Sequence, residues 1–270
     1  MNVHLYKKDF SRLKKPMIFW GLGILGLTLM ATAIYLLYEK IDMNAIMGEM
    51  IKKIDPEAAK TMGMEEQLFS TILGTYYGTY SSYILLIFSI FAATVGANII
   101  GKEFRFGTNE FLMTRPVTRK EVFMTKAMVV VSIVILVSII QTGIAALFMV
   151  LFQSESEINW SNFFILHGQG FAVVFFFACI GVLLSIIKNP TKNKMGLMIG
   201  VIFGTFVLNL IVSPYEKIAW LSYISPFKNV AMEVNDPSLS LNYIGTIGLI
   251  AIGILALFLA KLKFEKMDLV

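Results

Sequence analysis

Residues 79 to 126 read TYSSYILLIFSIFAATVGANIIGKEFRFGTNEFLMTRPVTRKEVFMTK. The first part, to residue 100, carries no Asp, Glu, Lys or Arg, and as a helix it is long enough to cross about 30 Å of hydrocarbon. Residues 102 to 126 then hold six Lys and Arg and three acids, and a second apolar run begins at Ala127. Two continuous apolar runs joined by a short basic segment are two membrane spans meeting on one side of a bilayer.

The same pattern extends outward in both directions. Apolar runs cover 17 to 38, 79 to 100, 127 to 152, 162 to 187, 195 to 212 and 242 to 260. A chain that is 57% hydrophobic and 15% charged has too much apolar surface for one soluble core. A membrane barrel would show short alternating segments, and these runs are continuous. The expectation is an all-α, polytopic membrane protein with six transmembrane helices, a single transmembrane domain over residues 1 to 270.

Lys and Arg resist translocation, so their distribution sets the orientation. Segments 1 to 16, 102 to 126, 188 to 194 and 261 to 270 hold 17 Lys and Arg against 6 acids, whereas 39 to 78, 153 to 161 and 213 to 241 hold 6 against 12. The sign alternates at every crossing, which places both termini in the cytoplasm of a cell whose plasma membrane the chain crosses repeatedly. The net charge of +5 is accounted for without nucleic acid. A removable signal peptide ending near Ala31-Thr32-Ala33 is the competing reading of the N-terminus. It would push the basic C-terminal tail outside, against the charge rule.

Within residues 3 to 17, Val3, Tyr6, Phe10, Leu13 and Met17 recur at helical spacing, with Lys7, Lys8, Arg12, Lys14 and Lys15 between them. This predicts a short amphipathic interfacial helix; a plain basic anchor for the first span is the alternative. Segment 39 to 78 is the largest extracytoplasmic piece, either a small helical cap or a solvated loop. Segment 213 to 241 places Trp220, Tyr223 and Phe227 between Pro214 and Pro226, and either dips into the outer leaflet or anchors at its surface. Gly196, Gly200 and Gly204 form a stripe for close helix packing, within the chain or against another copy.

In the basic segment, Thr118-Arg119-Lys120-Glu121 fits a capping box, so a helix starts there. Pro116 breaks what precedes it. Residues 108 to 114 can then form a short helix bearing Phe111, Leu112 and Met113, apolar groups rimmed by charge, as at a contact surface; a solvated loop with its Phe and Leu dipped in the interface is the alternative.

The absence of charge inside the spans argues against an ion-coupled carrier, which places ionisable groups in the membrane. His167 is the only titratable group expected near a span. No Walker pattern is present, and Gly21, Gly23 and Gly26 lie in an apolar span without the turn a phosphate cradle needs. Two histidines and one cysteine supply neither a zinc site nor a disulfide.

The segment resembles the cytoplasmic loop of ABC-2 type transporter permeases, on Glu103, Gly107-Thr108, Glu110, Leu112, Thr114, Pro116-Val117, Arg119 and Lys126, placed between spans two and three. The resemblance implies a permease that binds no cofactor itself. It implies partners: two copies of a cytoplasmic ATP-binding subunit, which use ATP and Mg, a second permease as homodimer or heterodimer, and membrane lipid. It also implies that residues 102 to 126 form a coupling element, a cytoplasmic coupling helix through Glu103, Gly107, Thr108, Glu110, Phe111 and Leu112. Arg115, Pro116 and Arg119 are read as completing it, with the two arginines pairing with acids on the partner. Glu103 either caps or pairs locally with Arg105 or Lys102, or braces the element against the interfacial helix, which carries Phe10, through its Lys7, Lys8 and Arg12. Export of an amphipathic peptide, antimicrobial compound or lipid-like molecule is the expected activity. A non-transporting anchor or sensor that recruits a cytoplasmic partner is the alternative.

Overall fold

The computed structural model describes residues 2–41, 71–107, 117–152, 158–187, 194–212, 215, 217–230 and 242–267. Among the described residues six long helices carry the fold: α1 Val3–Ile41, α2 Ile72–Arg105, α3 Arg119–Phe152, α4 Trp160–Ile186, α5 Met195–Val212 and α6 Tyr243–Glu265. All six are long and apolar enough to cross a membrane. Two short 3₁₀ helices, Ala219–Ile224 and Pro226–Val230, lie between α5 and α6.

Helix starts follow side-chain chemistry. Thr71, Asn159 and Asn242 each accept the N–H three residues on, at 3.0, 3.1 and 3.0 Å, satisfying a donor that has no partner within the helix. The capping box forms reciprocally before α3: Glu121 N–H donates to Thr118 Oγ1 at 3.2 Å, and Thr118 N–H donates to Glu121 Oε2 at 3.2 Å. At the far end of α2, Gly107 adopts φ +63°, a left-handed conformation that glycine takes without steric cost, and the helix ends.

The N-terminal amphipathic stretch is not a separate element: α1 runs unbroken for 39 residues, with Pro16 inside it. Pro16 removes one backbone donor, but the helix is held on both sides of it, by Leu5 and Asp9 before and Ile24, Thr28 and Ala31 after, all buried. Helix α2 contains a wider π turn at Tyr80–Ile84.

Helices α2 and α4 form the centre, with 78% and 72% of their most apolar windows buried, against 22 to 33% for the other four. Their crossing rests on two glycines: a Cβ at Gly96 would strike the Ala178 carbonyl, and one at Gly181 would lie 2.5 Å from the Ala93 carbonyl. The backbones therefore touch where only glycine fits. Gly196, Gly200 and Gly204 are instead exposed on α5, with open space where a side chain would stand, so the stripe does not pack within the chain. Helix α1 lies along α3 and the start of α2, α6 along α4, and α5 against α2.

The segment after α5 returns to the bundle. Phe227 is buried between Phe177 and Phe206, with ring centroids 5.5 and 5.4 Å away, while Trp220, Tyr223 and Ile224 remain exposed. The Tyr77 hydroxyl donates to the Val230 carbonyl at 3.2 Å and ties the segment to α2.

Candidate functional site

The end of the bundle that holds both termini carries a buried charge cluster. Lys126, in the second turn of α3, is only 1% exposed, and its ammonium donates to Asp9 Oδ2 at 2.9 Å, to the Ile99 carbonyl at 3.0 Å and to Glu103 Oε1 at 3.3 Å. All three of its donors are used. Arg12 Nη1 lies 3.8 Å from the same Glu103 oxygen and is largely solvent-exposed. Two cations and two carboxylates thus balance, and the groups come from α1, α2 and α3. Removing water from such charges is costly, and only this complete partnering makes their burial stable.

Further contacts lock the same end. Asn2 N–H donates to the buried Thr125 Oγ1 at 3.1 Å. Phe264 of α6 packs against Phe104 and Phe123, with centroids 6.5 and 5.9 Å away. The Arg119 guanidinium donates to the carbonyls of Glu265 and Met267 at 3.2 and 2.8 Å, a cation at the negative end of α6. Arg105 folds back to hydrogen-bond Asn98.

Of the residues singled out in the sequence, the structure brings Glu103, Arg12 and Arg119 into this end. Lys7 and Lys8 are exposed, and Phe10 is half-buried, stacked on Tyr6. Gly107 terminates α2. Thr108, Glu110, Phe111, Leu112, Arg115 and Pro116 lie outside the described residues, but both ends of their segment are anchored here. Sequence reading missed Asp9 and gave Lys126 no structural role. The signals were present: Asp9 is the lone acid among five bases before residue 17, and Lys126 is the last charge before the third apolar run.

The opposite end holds a second polar cluster, uncharged. The His167 Nδ1 faces the Phe163 carbonyl at 2.9 Å, which can only accept, so that nitrogen carries the proton. Nε2 then accepts from the Tyr76 hydroxyl at 3.1 Å, and Tyr76 accepts from Gln141 Nε2 at 2.7 Å. Tyr80 and Phe163 close around the imidazole, at 5.1 and 4.2 Å between centroids. Gln169, with its amide oriented to satisfy both neighbours, donates to the Asn229 carbonyl at 2.8 Å and accepts from Asn242 N–H at 3.0 Å. These bonds join α2, α3, α4, the second 3₁₀ helix and α6 without presenting a reactive group. Among the described residues no three His, Cys, Asp or Glu stand together as a metal would require.

Six long apolar helices, one end joined by buried ion pairs and the other by neutral hydrogen bonds and aromatic contacts, define a polytopic helical membrane protein. The model of the ABC-2 family transporter proteins matches residues 3–269. The chain therefore belongs to the ABC-2 family: it is a membrane transport subunit of the permease type, not an enzyme, and it carries no nucleotide-binding motif. No curated protein matches it.

Proposed function

We propose that this chain is the permease of an ATP-driven exporter, with both termini and residues 108–116 in the cytoplasm. It works there with two copies of an ATP-binding subunit and, across the membrane, with a second permease. ATP and Mg belong to the partner. The cargo class is an amphipathic peptide, antimicrobial compound or lipid-like molecule.

The observation that carries this reading is the Lys126, Asp9 and Glu103 lock beside the ends of residues 108–116. A coupling element passes on force only when rigidly joined to spans that move. Here the helix before the segment and the helix after it are pinned to each other and to α1. In this reading Phe111 and Leu112 fill an apolar notch of the ATPase, and Arg115 meets acids at its rim. Arg119 already serves α6, so its share in docking is indirect, through the start of α3.

Copurification tests the proposal. The tagged chain, expressed with its neighbouring genes and extracted gently, is expected to bring down a stoichiometric ATP-binding subunit, and Phe111→Ala with Leu112→Ala is expected to release it. A chain that purifies without such a partner would favour the anchor or sensor reading.

A further inference from the structure

One face of the central helix α2 is left open. Ile87, Ile90, Thr94, Asn98 and Arg105 are spaced so that they share one side of the helix. Each is half-buried, on a helix whose other sides are mostly packed, so neighbouring helices flank this face without covering it. It is apolar toward the middle of the span and polar toward the end that holds the termini.

A cation at the C-terminal end of a spanning helix ordinarily reaches outward to water or meets the last free carbonyls of the helix. Arg105 does neither. Its guanidinium turns back along α2 and donates to Asn98 Oδ1, two turns earlier and within the uncharged run of residues 79 to 100. Asn98 is itself held in place, its Nδ2 donating to the Thr94 carbonyl at 2.9 Å. Among the described residues Arg105 makes no other hydrogen bond and no ion pair, so most of the five N–H groups of its guanidinium stay unused. Glu103, the nearest acid in sequence, lies on the opposite side of α2 and is engaged by Lys126. The Thr94 hydroxyl, on the same open face, also has no partner among the described residues.

A cation turned toward hydrocarbon without a counter-ion is costly, and an anion beside it offsets that cost. A guanidinium fixed by Asn98, with its remaining N–H groups free, is shaped to grip a carboxylate or phosphate through two parallel hydrogen bonds. Ile90 and Ile87, one and two turns beyond Thr94 on the same face, fit an apolar body joined to that anion. We propose that this face of α2 receives the cargo, and that the cargo is an amphiphile bearing an acid group. Arg105 holds the acid, Thr94 donates to it, and the apolar part lies along Ile90 and Ile87. Asn98 is a positioning residue that aims the guanidinium. The inference narrows the cargo class and rests on the transport reading, whereas the anion site does not depend on an ATPase.

The test places the full chain, with its copurifying subunits, in phosphatidylcholine nanodiscs and photolabels it with two probes of equal length, a diazirine-bearing alkyl phosphate and the corresponding alkylammonium. Peptide mass spectrometry reads the label around Ile87 and Ile90. The phosphate is expected to label this stretch about tenfold over the ammonium, the effect of one hydrogen bond to a charged group. Arg105→Gln is expected to remove that preference and Arg105→Lys to keep part of it. Thr94→Val, which deletes a hydroxyl without a protein partner, is expected to lower phosphate labelling about threefold with thermal stability unchanged. A nucleotide analogue bound to the ATP-binding subunit is expected to lower the labelling several-fold, as an uptake site closes to the side it loads from. Equal labelling by the two probes, or labelling indifferent to both Arg105→Gln and Thr94→Val, overturns the site. Phosphate labelling that needs Arg105 but ignores nucleotide identifies a resident lipid and overturns the cargo assignment. A chain without an ATP-binding partner fails the transport reading, and the cargo assignment with it, while the phosphate preference still reads the anion site.

Discussion

Lys126 is held by three oxygens, and its loss would leave Asp9 and Glu103 facing each other inside the bundle. Lys126→Met is therefore expected to destabilise the chain by about 3–5 kcal/mol, the effect of stranding buried charge. Thermal unfolding in detergent measures it. Adding Asp9→Asn and Glu103→Gln to that variant should recover most of the loss, a non-additivity that an ordinary cavity would not produce. Arg12→Ala, by contrast, touches a largely exposed guanidinium 3.8 Å from its partner and is expected to change stability by less than about 1 kcal/mol. At the other end, Tyr76→Phe removes the hydroxyl that serves both His167 and Gln141, and an expected loss of about 1–3 kcal/mol reads the two groups left unsatisfied. Glu103 was expected either to pair locally with Arg105 or Lys102 or to meet Lys7, Lys8 and Arg12 of the first helix, and the structure places it 3.8 Å from Arg12 and 3.3 Å from Lys126. The pairing of Asp9 with Lys126 was not legible, because 117 residues separate them and no local pattern links them.

At the scale of elements, hydropathy located the six helices and the capping box located the start of α3, because length and end chemistry are local properties. Packing was less legible. The glycine stripe on α5 had the spacing for close approach, yet the close approach falls at Gly96 and Gly181, each one glycine among alanines such as Ala93, Ala97 and Ala178. Alanine is small enough to flank a crossing, so one glycine per helix suffices and leaves a weaker mark than three in register. Gly96→Val must push α4 away and is expected to cost about 3 kcal/mol or more. Gly200→Ala meets open space and should raise helix stability by about 0.5–1 kcal/mol in the isolated chain. Unfolding of the two variants side by side checks both signs. A Gly200 variant that loses stability only when a second copy is bound would assign the α5 stripe to that copy.

Across the whole molecule, the two ends are built differently, and the difference bears on how force would pass between them. The end with the termini is pinned by charge, with α1, α2 and α3 joined at Lys126 and α6 added by Arg119 and Phe264. The other end is joined by neutral hydrogen bonds and aromatic contacts, including the 3₁₀ segment whose Tyr223 is 79% exposed. In the proposed transporter, the end joined by ion pairs is the block that would pass a nucleotide-driven displacement along α2 and α3. The block should then be needed for transmission even where the ATPase still docks. Cys179 is the only cysteine and is buried, so Tyr223→Cys gives a single exposed thiol. With the lock intact, a nucleotide analogue added to the copurified complex is expected to change the rate at which an impermeant maleimide reacts at that position. With Lys126→Met, Asp9→Asn and Glu103→Gln together, the partner should still copurify, through residues 108–116, and the nucleotide effect on labelling should vanish. Labelling that responds equally in both backgrounds would show that the charged lock supports only stability, and that displacement reaches the far end by another route.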